Sequence, residues 1–252
     1  MLAPERRNHI MQLLNQQKQV LVKELSEKLQ VSEGTLRNDL KILEKDGLLE
    51  RTHGGAVLPA PPSHEHTFRS RSQINQAEKA AIGTKALEFV KNGQCIILDA
   101  SSTALELAKR LGQFDHLTVV TNGLTTAQEL NRHPRLNVIV IGGVLRPGSS
   151  SLEGLLSKGL LSQVHADLFF TSAHGLTAAE GLTEFSLYEA ELKKVIVSNV
   201  NKVIALLDHT KLNRRSIATF AETSDIDILI TDSQADRAFL ESLEGVQTVI
   251  AD

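Results

Sequence analysis

A winged helix-turn-helix followed by an α/β domain is the architecture that three observations in this sequence predict. Residues 1–58 carry three helical periodicities and then two short extended runs around a Gly-Gly turn. The stretch Pro59-Ala60-Pro61-Pro62 comes next. Beyond it, apolar runs without polar alternation recur between helical patterns, as strands read when both faces of a parallel or mixed sheet are covered.

Each element has its own signal. Ile10, Leu13 and Leu14 lie at helical spacing over roughly 4–17, and Val22, Leu25 and Leu29 repeat it over 22–29. Ser32 is an N-cap for a third helix that starts at Glu33, carries Leu36, Leu40 and Leu43, and ends near Gly47. Extended runs 48–52 and 56–58 flank His53-Gly54-Gly55 as a hairpin, the wing. The prolines cannot join helix or sheet interiors, so 59–75 reads as a linker between a head, 1–58, and a second domain, 76–252. In that domain strands are expected at 94–99, 117–120, 136–141, 167–171, 202–207, 227–231 and 246–250. Helices are expected at 76–91, 103–111, 124–131, 187–200 and 234–243.

Bulk properties set limits. A chain of 252 residues, 41% hydrophobic and 23% charged, suits two ordinary globular domains. No apolar run reaches the length of a membrane span and no signal peptide is evident, so a cytoplasmic protein without a membrane partner is expected. The lone Cys95, within Cys95-Ile96-Ile97-Leu98, reads as core filler. Net charge is −3; residues 1–57 carry nine Lys/Arg against eight Asp/Glu, leaving 18 against 22 in the rest. Charge alone therefore gives no nucleic-acid footprint; the pattern of the head does.

Projected at about 100° per residue, the third helix places Leu36, Leu40 and Leu43 inside. Gly34, Arg37, Asn38, Lys41 and Lys45 fall on the opposite face, with Thr35 on the flank near its start. Arg pairs with guanine, Asn with adenine, and Lys and Thr reach phosphates. An isolated charged stripe reads more simply as a solvated face. Here the helix-turn-helix spacing and a wing bearing Arg51 and His53 accompany it, and double-stranded DNA is the expected partner.

In the second domain polar loops follow the expected strands. Asp99-Ala100-Ser101-Ser102-Thr103 opens a helix, where backbone N–H groups and hydroxyls suit a phosphate. Thr121-Asn122-Gly123, Gly142-Gly143, His174-Gly175 and Asp208-His209-Thr210-Lys211 follow other strands. Each alone is routine punctuation, but five in one register could converge on a small polar ligand. His64-Glu65-His66 lacks further ligands at usable spacing, so no metal or other cofactor is expected.

The sequence resembles the DeoR-type bacterial regulators. In the head the likeness rests on Glu5-Arg6-Arg7, Val22-Lys23-Glu24-Leu25, Val31 through Leu40, and Arg51-Thr52-His53-Gly54-Gly55-Ala56. Further along it rests on Glu78-Lys79-Ala80-Ala81-Ile82, Leu98 through Thr103, Val120-Thr121-Asn122-Gly123, Gly142 through Arg146, Gly181-Leu182-Thr183, Glu189 through Lys193, and Asp208 with Lys211. The resemblance implies a sensor domain related in fold to ribose-5-phosphate isomerase, an oligomer (dimer or tetramer), and repression of a sugar or sugar-alcohol operon controlled by a phosphorylated sugar or polyol. It implies that Ser101, Ser102 and Thr103 hold the phosphate with Lys211 as countercharge. Asn122, Glu189 and Lys193 would face sugar hydroxyls or organise the pocket, which Asp99, Thr121, Gly142 and Gly143 complete. Glu189 and Lys193, at i and i+4, also read as an ordinary helix-surface ion pair. Asn38 stands where the family usually has a second arginine, and Ser101-Ser102 where it often has Gly-Thr. Two other functions stay open: a sugar-phosphate isomerase with an added DNA-binding head, using Asp99, His174, Asp208 or Lys211, and an interaction module without a ligand.

Overall fold

The computed structural model describes residues 3–45, 48–57, 68–145 and 149–252. By its internal contacts the chain divides into two compact units, Met1–Ile74 and Asn75–Asp252.

The first unit contains α1 (Ala3–Gln17), β1 (Gln19–Leu21), α2 (Val22–Leu29), α3 (Glu33–Lys45), β2 (Glu50–Arg51), β3 (Gly55–Val57) and α4 (Phe68–Gln73). The apolar stripes meet as expected: Ile10, Leu14, Leu25, Leu36, Leu40, Leu43 and Leu49 are buried together. The Ser32 hydroxyl accepts the Thr35 N–H at 3.2 Å, capping α3. Buried Asp39 accepts from Arg6 Nε at 2.6 Å and has Arg7 Nε at 3.7 Å, which fastens α1 to α3. The wing has one strand more than expected, since β1 pairs antiparallel with β3 in the order β1-β3-β2. Gly55 permits it, because a Cβ there would lie 1.9 Å from the Val20 carbonyl oxygen. The far end of the expected linker is helical instead: α4 buries Phe68 and Ser70, and its residues have no apolar period to announce it. The expected helix end at Gly47, wing residue Leu58 and His64-Glu65-His66 lie outside the described residues.

The second unit contains α5 (Gln76–Ala86), β4 (Cys95–Leu98), α6 (Ser102–Ala108), β5 (Thr118–Thr121), α7 (Leu124–Leu130), β6 (Asn137–Val140), β7 (Val144–Leu145), β8 (Leu152–Glu153) and α8 (Lys158–Leu161). It continues with β9 (Ala166–Thr171), β10 (Gly175–Thr177), β11 (Gly181–Glu184), α9 (Leu187–Val197), β12 (Val200–Leu206), β13 (Ala218–Ala221), β14 (Ile228–Asp232), α10 (Arg237–Glu241) and β15 (Gln247–Ala251). All seven expected strands form one sheet, ordered β15-β14-β12-β9-β4-β5-β6. Every pair in it is parallel. Helix α9 covers one face, its Leu192 and Ile196 packing with Ile97, Val120, Phe169 and Val203. A small antiparallel sheet, β10-β11-β13, and the β7–β8 hairpin complete the unit.

From β4 the chain winds outward to β5 and β6, then returns to place β9 on the other side of β4. The β4–β9 junction is therefore the switch point, beyond whose carboxyl ends open α/β sheets bind ligands.

Candidate DNA-reading face and effector site

On α3, Gly34, Arg37, Asn38 and Lys41 are exposed while Leu36, Asp39, Leu40 and Leu43 are buried. Thr35 is half-buried and its hydroxyl lies 2.9 Å from that of Ser32, at the helix start. Arg37 pairs with Glu33 at 2.6 Å, one turn back and less exposed than the arginine. Such a surface pair contributes little to stability, so Arg37 leaves it at small cost. Arg51 and His53 are exposed on the wing, and Glu44 of α3 takes Arg51 N–H at 3.2 Å, joining wing to reading helix.

At the carboxyl edge of the sheet the expected loops share one rim because all strands run the same way. Asp99, just past β4, is almost fully buried; Oδ1 accepts Ser101 N–H at 3.0 Å, while Oδ2 accepts the Thr171 hydroxyl at 2.9 Å and Ser172 N–H at 2.8 Å from β9. The switch point is thus stitched by one carboxylate. Lys193 reaches it from α9: its Nζ is 3.0 Å from Asp99, 2.5 Å from Glu184 and 3.8 Å from Glu189, and donates to the Ser172 carbonyl at 2.8 Å. The ammonium also sits 4.9 Å from the centre of the Phe220 ring. Lys193 is 2% exposed, so the helix-surface pair considered for Glu189 and Lys193 is in fact part of a buried cluster. Burial opposes its charge, but Asp99, Glu184 and Glu189 outweigh that and hold the ammonium protonated well above the usual lysine range. For Glu184 burial likewise opposes ionisation, yet Lys193 and His174 bring its carboxyl down to about 2. His174 Nδ1 lies 2.6 Å from Glu184, and its ring is partly exposed at the rim.

The start of α6 places Ser101, Ser102 and Thr103 beside this cluster. Ser101 caps the helix, its hydroxyl accepting Ala104 N–H at 3.0 Å; Ser102 and Thr103 are buried. Two strands away, Asp208 accepts from Asn75 at 3.0 Å and from the Thr210 hydroxyl. Burial would raise the Asp208 carboxyl, but Thr210, Lys79, Asn75 and Lys211 together lower it. His209 donates its backbone N–H to Asp232 at 2.8 Å and has its ring Nδ1 2.9 Å from the same carboxylate. Lys79, buried at the start of α5, and Lys211, half-buried, are the cations of this side.

Other expected residues are engaged in structure. Thr121 is buried with its hydroxyl accepting Gly123 N–H at 3.0 Å, and the Asn122 amide donates to the Leu152 carbonyl at 3.1 Å. A Cβ on Gly143 would meet the Glu153 carbonyl oxygen at 2.5 Å, so this glycine lets β7 approach β8. Gly142 is exposed, its carbonyl accepting the Ser157 hydroxyl at 2.9 Å. The sequence reading did not single out Glu184, Ser172, Glu153, Asn75, Lys79 or Asp232 as site residues, although the geometry joins them to the rim. Among the described residues no group of three His, Cys, Asp or Glu side chains could hold a metal ion.

Comparison with known proteins assigns this arrangement. The DeoR C terminal sensor domain matches residues 74–233, and the DeoR-like helix-turn-helix domain matches residues 6–61. The chain belongs to the DeoR family. Among its relatives is the HTH-type transcriptional regulator GolR of Listeria innocua, 46% identical over 250 residues that cover 98% of each chain. The putative aga operon transcriptional repressor of Escherichia coli O157:H7 is 32% identical, over 98% of this chain and 93% of its own. The glycerol-3-phosphate regulon repressor of Escherichia coli is 31% identical over 92% of each. Among solved structures, a ribose-5-phosphate isomerase in complex with phospho-erythronic acid superimposes with a TM-score of 0.42 at 18% identity, over 54% of each chain. No helix among the described residues is long and apolar enough to cross a membrane.

Proposed function

We propose that this DeoR-family chain is a cytoplasmic repressor of a sugar or sugar-alcohol operon, and that a phosphorylated sugar or polyol sets its affinity for operator DNA. The reading divides it into a head, 1–58, a linker, 59–75, and an effector domain, 76–252, and takes the working form to be a homo-oligomer. The observation that carries it is the rim at the β4–β9 switch point, where buried ionic groups meet the hydroxyls and N–H groups that open α6. Ser101, Ser102 and Thr103, with Lys79 and Lys211 as cations, serve the phosphate; His174 and Glu189, at the rim, serve ligand hydroxyls. Lys193, Asp99 and Glu184 keep that rim in shape. The relatives' names, among them a glycerol-3-phosphate regulon repressor, point the same way.

The isomerase reading is weaker on chemical grounds. A general base works best with a pKa near the working pH, whereas both Asp99 oxygens are taken by Ser101, Thr171, Ser172 and Lys193, and the Asp208 carboxyl, which burial would raise, is lowered by Thr210, Lys79, Asn75 and Lys211. A thermal-shift panel tests the effector part. A phosphorylated sugar or polyol at a hundred times its Kd stabilises the folded chain by about 2.7 kcal/mol, whereas the same compound lacking its phosphate does not. A panel in which no phosphorylated member raises the melting temperature rejects it. For the DNA part, Arg37→Ala should relax operator preference at a loss of about 1–3 kcal/mol, while Lys41→Ala lowers affinity evenly across sequences and reduces the salt slope by about 1. Both variants should keep the effector's thermal shift. An Arg37 variant with full operator preference would remove this helix from base reading.

A further inference from the structure

We infer that Asn75 is the residue through which an effector at the Asp208–Lys211 loop acts on the chain's entry into the second unit, a positioning role that rests on the effector reading above. Ile74 is the last residue of the first unit and Asn75 the first of the second. Asn75 stands directly before α5 with φ 52° and ψ 44°, in the left-handed region. An asparagine in front of a helix ordinarily takes an extended backbone and turns its side chain onto the helix's own N–H groups. Asn75 does neither. Its amide instead donates at 3.0 Å to Asp208, 133 residues along the chain, with the Thr210 hydroxyl 3.5 Å away. Residues other than glycine seldom adopt this backbone conformation, and here it accompanies a bond to a buried carboxylate.

The far end of that bond lies on the ligand rim. Asp208 also accepts the Thr210 N–H at 3.1 Å and the Thr210 hydroxyl. The charges of Lys79 and Lys211 act on the same carboxyl and help to keep it ionised. These are the two cations that the effector reading gives to the phosphate. A phosphate held by them draws on the charge that balances Asp208, so occupancy changes how firmly Asp208 holds the Asn75 amide. The Asn75 carbonyl in turn accepts the Lys79 N–H at 3.0 Å and opens the hydrogen-bond ladder of α5. One residue therefore joins the loop after β12, the first turn of α5 and the peptide link to Ile74. The other tie from α5 to this edge of the sheet, Gln234 to Glu78 at 2.9 Å, is exposed and lies past the junction.

Asn75→Gly in the full chain isolates the side chain, because glycine adopts the left-handed region without strain and keeps the carbonyl. The probe is whichever of glycerol 3-phosphate, ribose 5-phosphate, glucose 6-phosphate and sorbitol 6-phosphate most raises the melting temperature of the unaltered chain. If none does, the effector reading falls and this inference with it. Anisotropy on the upstream DNA, with and without that probe, gives the coupling as a ratio of two affinities. The ratio should be about tenfold or more for the unaltered chain and within about twofold of unity for Asn75→Gly, whose thermal shift with the probe persists. A merely structural asparagine would lower stability and leave the ratio as it was, so an unchanged ratio overturns the inference while the effector reading stands. Loss of the variant's thermal shift would make Asn75 a ligand contact and also overturn the positioning role. An unaltered chain that binds the probe with no change in DNA affinity overturns both. Should the variant not fold, hydrogen exchange on the unaltered chain decides. The probe should alter protection at 74–79 together with 208–212, and a change confined to 208–212 contradicts the inference.

Discussion

Lys193 brings one positive charge among three carboxylates, Asp99, Glu184 and Glu189, deep in the second unit. Removing Lys193 would strand the three carboxylates, which typically costs about 3–5 kcal/mol. Glu184→Gln leaves Asp99 and Glu189 on the ammonium but loses the charged contacts to Lys193 and His174, and should lower the urea midpoint of the second unit at neutral pH. Its pH dependence carries a sign. The Glu184 carboxyl titrates at about 2 in the folded chain against an ordinary 4.5, so the unfolded chain holds the extra proton between those values. Its contribution of about 3 kcal/mol is complete above pH 4.5 and is lost as pH falls toward 2. Urea midpoints measured across that window should fall less steeply for the Gln variant; identical slopes would mean that Glu184 is not held by Lys193. At this scale the sequence held a signal that periodicity alone does not interpret. Lys79, Lys193 and Asp39 each occupy the buried stripe of a helix: Lys79 is in register with Ile82, Gly83 and Ala86, and Asp39 with Leu36 and Leu43. A charge on an apolar stripe must find a buried partner, but that partner is distant in sequence, 33 residues away for Asp39 and Arg6, so the pairing appears only after folding.

Helix α3 is held by contacts at both of its ends and on its buried side. Arg6 and Arg7 hold Asp39, Ser32 caps the helix, and Glu44 receives the wing. Asp39→Ala deprives Arg6 of its carboxylate and should destabilise the head by about 3 kcal/mol, seen as earlier exchange of the α1 and α3 amides, with operator affinity falling although no DNA-facing group changed. Gly55→Ala forces a Cβ into the Val20 carbonyl oxygen and should push β3 off β1, weakening DNA binding while leaving the effector's thermal shift in place. Loss of both responses in that variant would contradict independent folding of head and effector domain. The seven parallel strands were legible because each has adjacent apolar residues at its centre, as in Ile96-Ile97-Leu98 and Val203-Ile204-Ala205-Leu206. The β10-β11-β13 sheet was not: two of its strands begin at Gly175 and Gly181, positions that read as turns, and β13 joins β11 from a distant segment. Helix α4 was hidden for the opposite reason, since Arg and Ser fill it.

At the scale of the molecule, the family could be read before any coordinates, since its motifs run through the whole chain. The effector's identity could not, because the rim is assembled from loops over a hundred residues apart, as Asn75 and Asp208 are. Regulation needs only that the effector bind the DNA-competent and DNA-incompetent states unequally, and a tenfold change in operator affinity requires about 1.4 kcal/mol of such difference. The most direct measurement is fluorescence anisotropy of the full chain on the DNA upstream of its own operon, at fixed salt, titrated with each phosphorylated sugar or polyol and with its unphosphorylated counterpart. The expected result is preference for that DNA over a scrambled duplex, changed about tenfold or more by one phosphorylated ligand and by no unphosphorylated one. Equal affinity for scrambled DNA, or the same operator affinity with every ligand, would contradict the assignment of a ligand-controlled regulator.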